Sequence, residues 1–168
     1  MKRIIKFVFK YTVGNLLSKI YFRFLRTEKW IPDFMRKPLF LNLFAKLYFT
    51  YKTDKENFGK EDYWQGAIEM LTNKIGDCED WSIFFRKVLM AKYNATLFYV
   101  SYKDIKNELK AHISCVFDHG VIDNLGLFKI AKEDVFKVIA KKIINKLNKN
   151  GILYIYYIMD KDNKPVRY

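Results

Sequence analysis

Two cysteines among 168 residues are too few for a disulfide framework, and with only two histidines beside them no zinc-finger spacing occurs. Prolines number three and glycines seven, and the chain holds no low-complexity tract and no internal repeat. Acidic residues are scarce as well: 18 Asp and Glu stand against 31 Lys and Arg, a net charge of +13. No apolar run reaches the length of a membrane-spanning helix. The N-terminal stretch begins like a secretory signal, but Lys6 and Lys10 interrupt its apolar part and no small-x-small cleavage site follows. The expected location is therefore cytoplasmic. What the chain has is a hydrophobic fraction of 51% and an aromatic fraction of 18%, which excludes wholesale disorder, and enough length for one sizeable core.

The positive charge is uneven. From Met1 to Thr53, 12 Lys and Arg face 2 acids, a net of +10, and the remainder carries only +3. Lys2 to Arg26 reads as one or two basic amphipathic helices with Leu16, Leu17, Ile20, Tyr21 and Phe24 along one stripe. Such a stripe either packs on the rest of the protein or rests on an anionic membrane surface, a peripheral association. Nucleic acid is not an expected partner, because the charge comes with no nucleic-acid-binding motif. After the break at Trp30-Ile31-Pro32-Asp33, a helix is predicted over Pro38 to Thr50, with Leu39, Leu43 and Leu47 on one ridge and Phe40 and Phe44 on the next. The polar stretch Lys52 to Lys60, with Gly59, divides a basic helical region (1–53) from a core (54–168).

Within that core, Trp64, Ala67, Ile68 and Leu71 predict a helix over Glu61 to Asn73. The next stretch, Gly76-Asp77-Cys78-Glu79-Asp80-Trp81-Ser82, places a thiol where a loop enters a helix marked by Ile83, Phe84, Val88 and Leu89. Asp77 can cap that helix, and the free N–H groups of its first turn favour a thiolate at Cys78. Strands are predicted over Thr96 to Tyr102, His112 to Phe117, Val121 to Asn124 and Ile152 to Met159, with a helix over Glu133 to Leu147. In the second strand Cys115 has the opposite parity to His112 and belongs to the core. Helices followed by an antiparallel sheet make an α+β chain.

A cysteine at a helix start, then His112 on a strand, then Asp123 on the next strand is the order of a nucleophile, its base and the acid that orients it. The residues Gly76-Asp77-Cys78-Glu79-Asp80, the His112 strand and Ile122-Asp123-Asn124 resemble the bacterial transglutaminase-like cysteine proteinase group, which has phage-type members. The likeness covers about Tyr63 to Leu127. It implies a papain-like fold, with the nucleophile helix packed on a small antiparallel sheet. It also implies cleavage or transfer at an amide of a protein or peptide substrate through an acyl-thioester.

Cys78, His112 and Asp123 would form the triad, with Asn124 as a substitute for the acid and His119, in a turn, as a weaker base. The oxyanion would be held by the Cys78 N–H and a donor from Trp64 or Gln65. No cofactor is required by this chemistry. In some periplasmic members of the group the acids beside the cysteine bind calcium, which makes Asp77 and Glu79 candidate ligands; their plainer role is to cap the helix. A tight turn at His119-Gly120 would pair Phe117 with Ile122 and leave Asp123 about 13 Å out of register with His112. The alternative to an enzyme is a non-catalytic module of the same fold, used for binding or assembly on a membrane or in a virus particle.

Overall fold

The computed structural model describes residues 2–28, 31–60, 62–118, 120–131, 135–147, 150–160 and 162–166. Trp30, Glu61, His119 and Glu133, named above, lie outside them. The chain runs through α1 (Lys2–Tyr11), α2 (Val13–Thr27), α3 (Asp33–Arg36), α4 (Pro38–Tyr48), β1 (Thr50–Tyr51), α5 (Asp54–Phe58), α6 (Ala67–Asn73), β2 (Ile75–Gly76) and α7 (Cys78–Leu89). The second half holds β3 (Thr96–Lys103), β4 (Leu109–Phe117), β5 (Gly120–Asp123), β6 (Gly126–Lys129), α8 (Phe136–Leu147), β7 (Ile152–Met159) and β8 (Pro165–Val166).

Six strands form an antiparallel sheet in the order β6-β5-β4-β3-β7-β8, and β1 pairs with β2 in a separate parallel ladder. The period-2 alternation of β4 gives the sheet two buried faces. Cys115 and Phe117 join the cluster built by α2, α4 and α7, whereas Val116 packs with Phe98, Val100 and Val121 around Ile139, Ala140, Ile143 and Ile144 of α8. Helix α7 thus lies on one face and α8 on the other.

The N-terminal helices share the first core with α7. Phe44 of α4 has ring contacts with Tyr21 of α2, with Phe84 of α7, and with Tyr48 and Phe49. Tyr21 is fully buried and gives its hydroxyl to the Met35 carbonyl at 2.7 Å. Along the predicted α2 stripe, Leu17, Ile20, Tyr21 and Phe24 pack inward and Leu16 is exposed. In α4 the buried face is Leu41, Phe44, Ala45 and Tyr48, so Leu39 and Leu43 point to solvent, contrary to the ridge read from the sequence.

Two local differences shape the site. The helix expected from Glu61 begins only at Ala67, because carboxylates take the main-chain N–H groups of the preceding residues: Asp54 accepts from Tyr63, and Asp80 from Gln65 at 2.7 Å. The polar stretch after Thr53 is itself a short helix, capped by the reciprocal Thr53 and Glu56 bonds, and it carries Asp54 into the interior.

Candidate active site

The entry to α7 is fixed by its own side chains. Asp77 and Asp80 form a reciprocal capping box, in which the Asp77 N–H donates to the Asp80 carboxylate at 3.2 Å. The approach is so close that a Cβ on Gly76 would lie 2.7 Å from the Asp80 side chain, so glycine is required there. Cys78 is the first residue of the helix and is half-buried. Ile113 of β4 is bonded to this helix at both main-chain groups. Its carbonyl accepts from the Ser82 hydroxyl at 2.9 Å, and its N–H is directed at the Cys78 sulfur. The helix start therefore abuts β4 beside His112.

His112 is buried, and its Nε2 lies 3.0 Å from Oδ2 of the fully buried Asp123. The same oxygen accepts from the Ser114 hydroxyl at 2.9 Å, and Oδ1 accepts from the N–H groups of Leu125 and Gly126. Burial alone would raise the Asp123 carboxyl. The hydrogen bond and charge of His112, with the Ser114 bond, outweigh it and hold the group below its ordinary value. The hairpin is tighter than expected: Phe117 pairs with Gly120 and Cys115 with Ile122. Continued by one step, that register sets Ser114 opposite Asp123, with His112 its diagonal neighbour on the same face. The 13 Å displacement does not arise. Nε2 is engaged by Asp123, and Nδ1 is the other ring nitrogen.

Around the thiol the acids converge. Ligand atoms of Asp77, Cys78 and Glu79 lie within 4.8 Å of one another, as do those of Asp54, Asp62 and Glu79 and those of Asp54, Asp77 and Asp80. The Cys78 thiol donates to Glu79 at 3.0 Å. Burial, then the charge of Glu79 and this bond, push the thiol well above its ordinary value, and the Ile113 N–H only partly opposes them. The ease of ionisation expected from a helix start is thus overridden. Burial also raises Asp77 to about 8, Asp80 to about 6 and the Glu79 carboxyl above its usual range. One oxygen each of Asp54 and Asp77 is buried with no hydrogen-bond partner among the described residues.

Neither the protein-family models nor the curated proteins give a match to this sequence. Among solved structures, LapG of Legionella pneumophila superimposes with a TM-score of 0.50 over 95% of this chain and 83% of that one, at 18% identity. The chain has the LapG-like papain/transglutaminase-like fold. A calcium-bound LapG structure matches 71% of this chain and 76% of its own at 20% identity and a TM-score of 0.44. A candidate cysteine protease from Cytophaga hutchinsonii matches 95% of this chain and 56% of its own at 15% identity and a TM-score of 0.35.

On this transglutaminase-like fold the two expected side-chain oxyanion donors are already engaged. The Trp64 indole N–H donates to Asp62 at 2.7 Å. The Gln65 amide donates to the Ile75 carbonyl at 2.9 Å and to Asp80 at 2.6 Å. Asn124 makes no bond to His112; its buried Oδ1 has no partner among the described residues. Sequence reasoning missed Ser114, Asp54, Asp62 and Tyr51. The β1–β2 ladder pairs Tyr51 with Gly76, two residues before Cys78. Burial, then the charges of Cys78, Asp77 and Glu79, raise the Tyr51 hydroxyl, which stays a neutral donor near Cys78. For Ser114 a signal existed, since its i+2 relation to His112 puts both on one strand face. For Tyr51, Asp54 and Asp62 there was none.

Proposed function

We propose that this chain is a transglutaminase-like cysteine peptidase with Cys78 as nucleophile, His112 as base and acid, and Asp123 as the orienting carboxylate. The observation that carries this reading is the buried His112–Asp123 bond at 3.0 Å, on a strand whose next residue, Ile113, is tied to the nucleophile helix at both main-chain groups. The Cys78 sulfur loses its proton to His112 and attacks the amide carbonyl, forming a C–S bond. The imidazolium then protonates the departing amine as the C–N bond breaks, and water, deprotonated by His112, hydrolyses the thioester. An amine in place of that water would give transfer from the same acyl-enzyme. The Cys78 N–H and the Tyr51 hydroxyl are the donors we assign to the oxyanion.

The thiol–Glu79 bond favours a form of the site that needs a cation to become active. Hard oxygen donors suit Ca²⁺, and the unpartnered oxygens of Asp54 and Asp77 fit such an ion; with Glu79 they would hold it. Calcium would offset the carboxylate charge that keeps the thiol protonated. The basic N-terminal region, with Phe7, Val8, Tyr11, Val13 and Leu16 exposed, supports peripheral contact with an anionic membrane. Among the described residues no helix is long and apolar enough to cross one.

The pH dependence of Cys78 alkylation by iodoacetamide tests the enzyme reading. His112→Ala is expected to raise the midpoint and Asp123→Ala to raise it less. A midpoint that neither substitution moves would leave Cys78 a structural residue and favour a non-catalytic module.

A further inference from the structure

The strand that carries His112 has an unpaired edge next to the nucleophile. On one side β4 is paired with β3 from Leu109 to Val116; on the other it meets β5 only from Cys115 to Phe117. In an antiparallel ladder alternate residues turn both main-chain groups toward the same neighbour. Cys115 and Phe117 face β5, so Ile113, Ala111 and Leu109 present their N–H and C=O groups on that edge. Two contacts agree with this parity: the Ile113 carbonyl accepts from Ser82 of α7, and the Lys110 carbonyl accepts from Ser101 on the opposite side, in β3. The α7 start occupies the edge at Ile113. Beyond it, Ala111 and Leu109 are exposed and no strand pairs with them on this edge among the described residues.

We infer that this edge docks an extended main-chain segment of the substrate, added as a further strand that leads to Cys78. The inference rests on Cys78 being the nucleophile. It follows from continuity: the edge that is free at Ala111 is the one whose next outward N–H, at Ile113, is directed at the sulfur. Successive outward groups lie about 6.7 Å apart. A segment bonded to Ala111 therefore brings its next main-chain groups level with the thiol. The substrate class is a protein segment with unsatisfied backbone, such as a linker, loop or terminus. A helix or paired strand, whose N–H and C=O groups are already used, does not fit, and neither does a small acyl donor. Because the contacts are to main chain, side-chain sequence is a secondary determinant.

The test compares alkylation of Cys78 by iodoacetamide with alkylation by iodoacetyl-tetraalanine amide, with calcium added. The peptide reagent is expected to react faster, by about fivefold for each main-chain hydrogen bond formed. In Ala111→Pro the lost N–H faces outward, so the ladder to β3 keeps all its bonds. That variant should lose the peptide advantage and keep the iodoacetamide rate. A backbone N-methylated version of the reagent should lose the advantage on the unaltered protein, which decides the matter even if the proline variant folds poorly. An advantage that survives N-methylation, or none in the wild type, overturns the docking edge. Labelling of Cys78 by neither reagent removes the nucleophile, and the edge with it.

Discussion

His112 Nε2 and Asp123 Oδ2 lie 3.0 Å apart although the two residues are not opposite one another in the sheet. Ser114 holds the opposite position and shares the same carboxylate oxygen. The carboxylate is thus fixed from its own hairpin, and the imidazole is positioned by an acid that cannot swing away. The Asp123 oxygens and His112 Nε2 are buried and each has a partner, the condition under which such a network holds one geometry.

Glu79 opposes ionisation of the thiol and, in the proposed triad, His112 would assist it, so two substitutions should move its reactivity in opposite directions. Glu79→Gln removes the negative charge that helps to keep Cys78 protonated and leaves only a weaker amide acceptor, and the midpoint of its alkylation should fall. Cys115, fully buried, should remain unlabelled in the folded protein. Peptide mapping after iodoacetamide treatment reads both. A Glu79→Gln midpoint equal to or above wild type would contradict the assignment.

Calcium should raise the melting temperature of the wild-type protein and EGTA should reverse the effect, since an ion bound only by the folded state stabilises it. Asp77→Asn and Asp54→Asn should each diminish the response, because they remove a carboxylate whose oxygen is otherwise unpartnered. Equal responses in all three proteins would place any calcium elsewhere.

The Asp123 carboxyl titrates below its ordinary value of 3.8 in the folded chain, so the unfolded state binds more protons as the pH is lowered. Its stabilisation is fully present above that ordinary value and is lost as the pH falls through the lower folded one. Asp123→Ala should cost about 3 kcal/mol or more at neutral pH, by stranding His112 and Ser114 without their acceptor. In strong acid the difference from wild type should shrink. Urea titrations at the two pH values measure it; a difference independent of pH would argue that packing, not charge, is what the substitution removes.

Removing residues up to Arg26 would strip Tyr21, Phe24 and Leu25 from the core, so membrane contact is better tested at exposed positions. Phe7→Ser with Tyr11→Ser should leave the melting temperature unchanged and weaken salt-sensitive binding to vesicles containing anionic lipid. Undiminished binding would clear this helix of any role on the membrane.

Tyr51→Phe should preserve the iodoacetamide rate at Cys78 but lower turnover of unfolded casein by roughly 10²-fold, the usual effect of losing one oxyanion donor. Equal turnover by the two proteins would return the search for that donor to the main chain.

Much of this was already present in local sequence. Ile83, Phe84, Val88 and Leu89 announce α7 by their spacing, and Asp77 marks its first turn; both depend on residues within one or two turns of each other. The parity of β4 separates Cys115 from His112 for the same reason, and the order Cys78, His112, Asp123 needs only the chain. Register is another matter. Whether Phe117 pairs with Ile122 or with Gly120 depends on how tightly the hairpin closes, and a two-residue change there decides whether His112 meets Asp123 at all. Convergence over distance was equally invisible. Asp54 and Asp62 reach Glu79 from separate segments, Tyr51 arrives through the β1–β2 ladder, and Asp80 takes the Gln65 N–H that would otherwise have begun a helix. Spacing and capping are short-range properties that the chain carries wherever it folds. Which carboxylates crowd the thiol, and which edge stays open beside it, is settled only when distant segments close on one core, because burial sets both the charge of those acids and the main-chain groups left to bond.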